Sequence, residues 1–383
     1  MTHPRPRVLI VGAGLSGLYA AYALQQRGAY DCVVLEARGR IGGRLTDTSE
    51  RARIAAADDP GAVRVDLGAT WFWPALQPRL DALVRELGLE RFAQHEVGDM
   101  LLERPGGDRV LRLPGYVQSP QSMRLRGGMT ALCDALRTRL RGTELRTESA
   151  VRRMRVSGRD IVVEVDTPAG PRTVDAVQQV LLALPPRLAV AGIAFEPALP
   201  PELARSWRAT PTWMASQAKY VALYAAPFWR MDGLSGFAHS ARGPLGEIHD
   251  ASTASGTAAL FGFFALPAQA RRALGEDALR AACRAQLARL FGPRAAEPVA
   301  DFIQDWARDP HTATASDLEP VAGHASAPAP AAASGAWHGR LRGIASEWSR
   351  PFPGYVAGAI DAAQCGVDAL QDSPDLERVP GAA

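Results

Sequence analysis

The chain has 383 residues, 47% of them hydrophobic and 22% charged, with a formal net charge of +3. That length exceeds what a single hydrophobic core organises, so two domains are expected. The small, scattered charge argues against a nucleic-acid partner, no apolar run is long enough to span a bilayer, and Cys32, Cys133, Cys283 and Cys365 lie too far apart for a metal or redox motif, which suits reduced thiols in a cytoplasm.

In chain order, residues 7–11 read as a short apolar strand. Residues 15–26 read as a helix with Leu15, Leu18, Tyr19 and Tyr22 on one face, closed by Gly28. Between them Gly12, Gly14 and Gly17 form G-x-G-x-x-G. Gly12 makes the tight turn, Gly14 lets the backbone approach a pyrophosphate, and Gly17 lets the helix pack on the strand. The helix N-terminus then faces the phosphates. A signal peptide would also place an apolar run after basic residues, but the glycine spacing is better explained by nucleotide binding, and no A-x-A site follows closely. Residues 32–35 are a second strand, ended by Glu36, whose carboxylate can accept from a ribose hydroxyl. Arg44 follows a double glycine and can bring a cation to the same pyrophosphate.

Further along, residues 79–88 have Leu80, Leu83, Val84 and Leu87 at helical spacing with Gly88 as the stop, and 127–142 form a second amphipathic helix. Segments 161–165, 180–184, 217–224 and 259–265 read as strands, and 277–291 as a helix. Residues 324–336 are Ala/Pro/Ser-rich and read as a loop. Residues 372–383 read as a frayed tail. Of the 43 basic residues only Lys219 is a lysine, and it shares a strand face with Val221 and Leu223. A buried ammonium there needs a partner or water and has its pKa lowered by desolvation. The bland alternative is a lysine that snorkels to solvent. His249 beside Asp250 suggests a base with an orienting carboxylate, yet adjacent strand residues point to opposite faces.

The run from Gly12 through Arg44, with its strand, G-x-G-x-x-G, helix, strand, Glu and G-x-x-G-G-R, resembles the flavin monoamine oxidases. So do VDLGATWFW (from Val65), RGGMTALCDAL, LLALPPR, AKYVALYAAPFWR, DWARDPHTAT and ASEWSRPFPGYVAGAI, which come in the family's order and cover nearly the whole chain. The resemblance implies an α/β fold: a doubly wound Rossmann-type FAD-binding domain made of 1–74, 122–205 and 305–383, with an interleaved α+β substrate domain made of 75–121 and 206–304. It implies FAD contacts from Gly12, Ala13, Gly14, Ser16, Gly17, Glu36, Ala37, Arg38, Gly43, Arg44, Leu67, Gly68, Ala69, Thr70, Val151, Glu347, Tyr355 and Val356. Lys219 would hold a water against the flavin and Tyr355 would form one wall of an amine cage, whose other wall is missing here.

The family's close-approach glycine falls at Ala345. No cysteine lies between Cys283 and Cys365, so the family's covalent attachment is excluded and FAD is expected to be noncovalent. The implied reaction is hydride transfer from an amine to the flavin, with O₂ as electron acceptor and hydrogen peroxide as product. A homodimer is among the implied assemblies. Two alternatives stay open: a flavin-dependent dehydrogenase or desaturase, and a flavin-fold binding protein of low turnover.

Overall fold

The computed structural model describes residues 7–50, 63–107, 109–319, 323 and 325–371. His324 of the expected loop and the expected tail at 372–383 lie outside the described residues. The chain divides into two compact units, one of 1–43, 132–213 and 321–383, the other of 44–131 and 214–320. Segments 44–74, 122–131 and 305–320, expected with the nucleotide domain, belong to the second unit, and 206–213 to the first. Val65 and Leu67 illustrate why: they are buried in one cluster with Val221, Ala259 and Phe261.

The first unit is built on a five-stranded, wholly parallel sheet in the order Leu341–Gly343, Gln179–Leu182, Arg7–Val11, Asp31–Leu35, Glu144–Arg146. Its central strands are near-continuous apolar runs (Val8, Leu9, Ile10; Val33, Val34, Leu35), as a sheet buried on both faces requires. Helix Leu15–Arg27 ends at Gly28 in the left-handed conformation (φ 65°), which a glycine adopts without a Cβ penalty. It packs beside Val356–Gln371, with Tyr19 donating to Gln364 Oε1 at 2.7 Å. A second sheet in this unit pairs Gly170–Val177, Asp160–Thr167, Ala150–Ser157 and Ala194–Glu196.

The second unit is organised by a seven-stranded mixed sheet. Its order is Ala300–Asp305, Ala218–Tyr224, Ala258–Phe264, Leu245–Asp250, Leu234–Ser240, Asp99–Glu103, Val110–Leu113. The Ala218–Tyr224 strand is flanked on both sides, with Lys219 opposite Phe263 on one neighbour and Gln304 on the other. Alternate residues of this strand serve different cores: Tyr220, Ala222 and Tyr224 join one cluster, Val221 and Leu223 another. Arg271, with 1% of its side chain exposed, fixes the strand's entry by donating to Ser216 O (2.8 Å), Leu266 O (2.7 Å) and both carboxylate oxygens of Asp305 (3.0 and 2.6 Å).

Candidate flavin and amine site

All five strands of the parallel sheet point the same way, so the segments leaving their carboxyl ends gather along one edge, where doubly wound sheets bind ligands. Gly12, Glu36, Thr147–Val151, Ala183 and Ile344–Glu347 all lie there. Gly12 (φ 105°) is held so closely that a Cβ would meet Ala183 O at 2.7 Å, and a Cβ on Gly17 would meet Gly12 O at 1.9 Å. These two glycines are required by the protein's own packing. Gly14 is different: its φ is −71° and a Cβ there would meet nothing nearer than 3.9 Å. It caps Leu15–Arg27, a helix with no side-chain cap and no acidic residue in its first turn. Ala13 and Ser16 are buried within the same turn.

Glu36, 3% exposed, accepts from Ala13 N–H (2.8 Å) through Oε2 and from Arg38 N–H (2.9 Å) through Oε1, with the Arg38 guanidinium 3.6 Å away. The main chain from Glu36 through Ala37 to Arg38 is in turn bonded to the segment before Val151, by Ser149 N–H to Glu36 O (2.8 Å) and Glu148 N–H to Arg38 O (2.9 Å). The second glycine loop clasps the first: Gly42 N–H donates to Ala13 O at 2.8 Å, and a Cβ on Gly43 (φ 59°) would lie 3.3 Å from Gly14 Cα. Arg40 is committed to this loop, donating to Ile41 O (3.1 Å) and Gly43 O (3.0 Å).

At the other end of the edge, Glu347 is 3% exposed and accepts from Ser346 Oγ at 3.1 Å. Gly354 N–H donates to Ser346 O (3.1 Å), which ties this turn to Tyr355 and to Val356 at the start of the last helix. Ala345 has ordinary extended dihedrals (φ −69°, ψ 168°), and its methyl is buried in an apolar cluster with Trp348. The tight approach in this segment belongs to Gly343, where a Cβ would sit 2.1 Å from the Trp348 ring. Tyr355 is more than a third exposed, unlike an ordinary core tyrosine.

The residues of the first unit fit the dinucleotide of FAD. A buried carboxylate ends the second strand, an uncapped helix N-terminus offers N–H groups, and the space beside Gly14 is open for a ligand to approach the backbone.

In the second unit Lys219 is 2% exposed, so it does not snorkel. Its Nζ donates to Thr70 Oγ1 (2.6 Å) and Gly68 O (3.1 Å) and lies 4.0 Å from the centre of the Phe261 ring. Gly68 is pinned, since a Cβ there would fall 2.0 Å from Arg44 O. Leu67 is wholly buried and Ala69 exposed, so the loop shows the lysine only its backbone and the Thr70 hydroxyl. Burial pushes the Lys219 ammonium down to about 7, opposed by the charge of Asp66 and assisted by that of Arg124. Burial pushes the Asp66 carboxyl up to about 6, opposed by Lys219 and Arg124.

Asp66 and Arg124 were not singled out from sequence. The available signal was a charged residue inside an apolar run (Val65–Leu67; Met123–Leu125), the same signal that picked out Lys219. A small cleft in this unit, open to solvent, is lined by His95, Glu96, Tyr116, Phe237, His249 and Asp250 among others. His249 stacks on Phe261 and bonds Glu247 Oε1 at 2.6 Å, while Asp250 is held by Arg230 (2.7 and 2.8 Å) and Trp229 Nε1 (2.8 Å). The two do not form a base with its orienter. Burial lowers the pKa of both His95 and His249. No helix of the described residues is long and apolar enough to cross a membrane.

Residues 10–87 match a Rossmann-like NAD(P)-binding domain. Polyamine oxidase 1 of Oryza sativa subsp. japonica is 38% identical over 115 residues, 29% of this chain and 20% of that protein, so the alignment spans about a fifth of the relative. In fold, the chain is similar to cyclohexylamine oxidase from Brevibacterium oxydans IH-35A (TM-score 0.77, 20% identity, 98% of this chain and 100% of that one). It is also similar to a putrescine oxidase solved with putrescine (TM-score 0.75, 21% identity, 97% and 100%). Residues 99–369 match the model of the flavin-containing amine oxidoreductases, and the chain belongs to that family.

Proposed function

We propose that this protein is an FAD-dependent oxidase of amine C–N bonds, with dioxygen as electron acceptor and noncovalently held flavin. The observation that carries the reading is Lys219: the chain's one lysine is buried, held by Thr70 and Gly68, and brought by burial into the range where it can exchange a proton near neutral pH. When bound, FAD supplies the two-electron acceptor, so that an amine leaves as an imine that water hydrolyses to an aldehyde or ketone.

The chain's own residues bind, orient and manage protons. Glu36 has lone pairs left after its two backbone contacts and would accept from a ribose hydroxyl; the N–H groups of Gly14–Gly17 would meet the pyrophosphate. Glu347, Tyr355 and Val356 would meet the cofactor from the C-terminal segment, and Val151 would do so through its backbone. Gly43 would border the phosphates from the second glycine loop. Lys219 Nζ holds a water or a proton for the oxidative step. The cleft bounded by Tyr116, Phe237 and His249, with Glu96 also in its lining, receives the apolar or cationic tail of the amine, burial biasing its imidazoles toward the neutral form. Dispersed, mostly buried thiols suit a reducing cytoplasm.

The test is anaerobic mixing of the yellow protein with alkylamines, diamines and cyclic amines. Bleaching by at least one of them, and its reversal by air with peroxide release, is expected. Reduction by none of them but by an alkene precursor would replace this reading with a dehydrogenase. Lys219→Met should slow reoxidation by air by tenfold or more, on the order of a lost charged contact, with reduction less affected; an unchanged oxidative half-reaction would remove Lys219 from the chemistry.

A further inference from the structure

The carboxylate that orients His249 is Glu247, not the adjacent Asp250. Glu247 stands two residues earlier on the strand Leu245–Asp250, so the two side chains share a face. His249 Nε2 lies 2.6 Å from Glu247 Oε1. That bond holds the Glu247 carboxyl below its ordinary value, against the opposing effect of burial, so the carboxylate accepts and Nε2 carries the hydrogen. Nδ1 is then a bare lone pair. It has no hydrogen-bond partner among the described residues, and His249, 8% exposed, lines the cleft with His95, Glu96, Tyr116 and Phe237.

Three rings fix the imidazole. Phe261 and Phe237 lie over it at 5.2 and 4.9 Å, inclined by 27° and 33°, and Trp71 meets it edge-on at 4.7 Å. Trp71 is itself anchored, donating through Nε1 to Gln94 Oε1 at 2.8 Å. Phe261 is also the ring whose centre lies 4.0 Å from Lys219 Nζ. The ionisable groups that face His249 are Glu247, Lys219 and His239, with Asp250 next to it on the strand and His95 and Glu96 in the same cleft lining. Asp250 is paired with Arg230, and Glu96 accepts from Gln118 N–H at 2.9 Å. Burial lowers the His249 pKa, opposed by the bond to Glu247 and assisted by Lys219 and His239, which favours the neutral ring. A ring kept only for packing gains nothing from a nitrogen left without a partner, which has to meet water or whatever enters the cleft.

We propose that His249, with its tautomer set by Glu247, takes the proton from the ammonium group of an amine that enters this cleft, so that the amine is oxidised as the neutral base. The assignment rests on the chain being an amine oxidase. One ammonium N–H bond breaks, its electron pair stays on the amine nitrogen, and the proton bonds to His249 Nδ1. The imidazolium so formed is paired with the Glu247 carboxylate, and its proton leaves through the cleft, which is open to solvent. Desolvation lowers an ammonium's pKa, as it takes that of Lys219 to about 7, and so brings donor and acceptor closer together. Glu247 is a positioning residue, since an amide in its place can donate to Nε2 and leave the hydrogen on Nδ1.

Two measurements on full-length, flavin-bound protein test this. Long-range nitrogen–proton NMR spectra of the imidazoles, assigned with His249→Asn, should show the His249 hydrogen on Nε2 at pH 7 and, in Glu247→Gln, on Nδ1. A hydrogen on Nδ1 in the wild type, or a charged ring at pH 7, would overturn the proposal without any substrate. Flavin bleaching is then followed anaerobically with n-butylamine, putrescine and cyclohexylamine. At pH 7 both variants should bleach at least about tenfold more slowly than wild type, a modest share of what a positioned base contributes. Near pH 10, close to the ordinary ammonium value, much of the amine arrives neutral, and the deficit should shrink to about twofold. An equal deficit at both pH values would mean that His249 only packs against the substrate, and would overturn the assignment while the amine-oxidase reading stands. Bleaching of the wild type by none of the three amines would remove that reading and the assignment with it.

Discussion

Lys219→Met offers a test of the buried charge that is independent of turnover. Methionine keeps an unbranched apolar stem against Phe261 and removes only the ammonium. In the wild type, burial takes that ammonium from the ordinary 10.5 to about 7. At about 1.4 kcal/mol per pH unit, holding the charge in the folded state at pH 7 costs about 5 kcal/mol. The sign follows from proton counting. Between about pH 7 and 10.5 the unfolded chain carries a proton that the folded protein has released, so stability rises with pH across that window. The methionine variant has no such proton. The stability of wild type minus variant should therefore climb by about 5 kcal/mol between pH 7 and 10.5 and level off on either side. Urea unfolding of both proteins with the same flavin loading, read in parallel buffers, measures this difference, and every titrating group except Asp66, which responds to the Lys219 charge, cancels to first order. Parallel curves from pH 7 to pH 10 would refute the reasoning, since a lysine that stays protonated there is not desolvated.

Gly14→Ala should fold with unchanged solubility and thermal midpoint, because its Cβ meets no protein atom nearer than 3.9 Å, yet lose flavin affinity by tenfold or more, about 1.4 kcal/mol; equilibrium dialysis against FAD decides it. Glu36→Gln gives up a charged acceptor and should weaken FAD by about 10- to 100-fold, the range of a charged hydrogen bond, while the absorbance of whatever flavin stays bound is unaltered. Arg271→Met leaves Asp305, with only 10% of its side chain exposed, without its cation and should cost about 3 kcal/mol in denaturant unfolding; a loss below about 1 kcal/mol would mean that water replaces the guanidinium.

Local signals carried much of the fold. The helix closed by Gly28 was readable because its apolar face and its glycine stop agree, and residues 277–291 for the same reason. The strands at 7–11, 217–224 and 259–265 were readable as apolar runs bounded by turn residues. Leu234–Ser240, Leu245–Asp250 and Ala300–Asp305 were not read, since Gly236, Gly246 and the carboxylates Asp301 and Asp305 interrupt their alternation. Those residues are tolerated through partners far along the chain: Asp301, for example, accepts from Tyr220, Arg280 and Arg284.

The nucleotide half of the site was legible because its requirements are local, a turn, a helix start and a strand end within thirty-odd residues. Lys219 was legible as an anomaly, but its partners were not. Thr70 and Gly68 stand some 150 residues earlier, and nothing in a single sequence fixes which loop a central strand will face. Ala345 shows the reverse failure. At this position of the family's close-approach glycine, the backbone turns the methyl into the core, and the steric demand of the segment lies at Gly343.

One of the two oxygens that hold Lys219 belongs to the main chain. Gly68 O cannot be deleted by any side-chain substitution, and Gly68 itself cannot be enlarged, because a Cβ would overlap Arg44 O. A scan that replaces residues one at a time would therefore report Gly68 as a folding position and miss its part in holding the ammonium. Replacing the amide between Gly68 and Ala69 with an ester weakens that carbonyl as an acceptor while leaving every side chain in place. The grip on the lysine is thus written partly in the path of the backbone, where neither directed mutation nor sequence drift can adjust it in small steps.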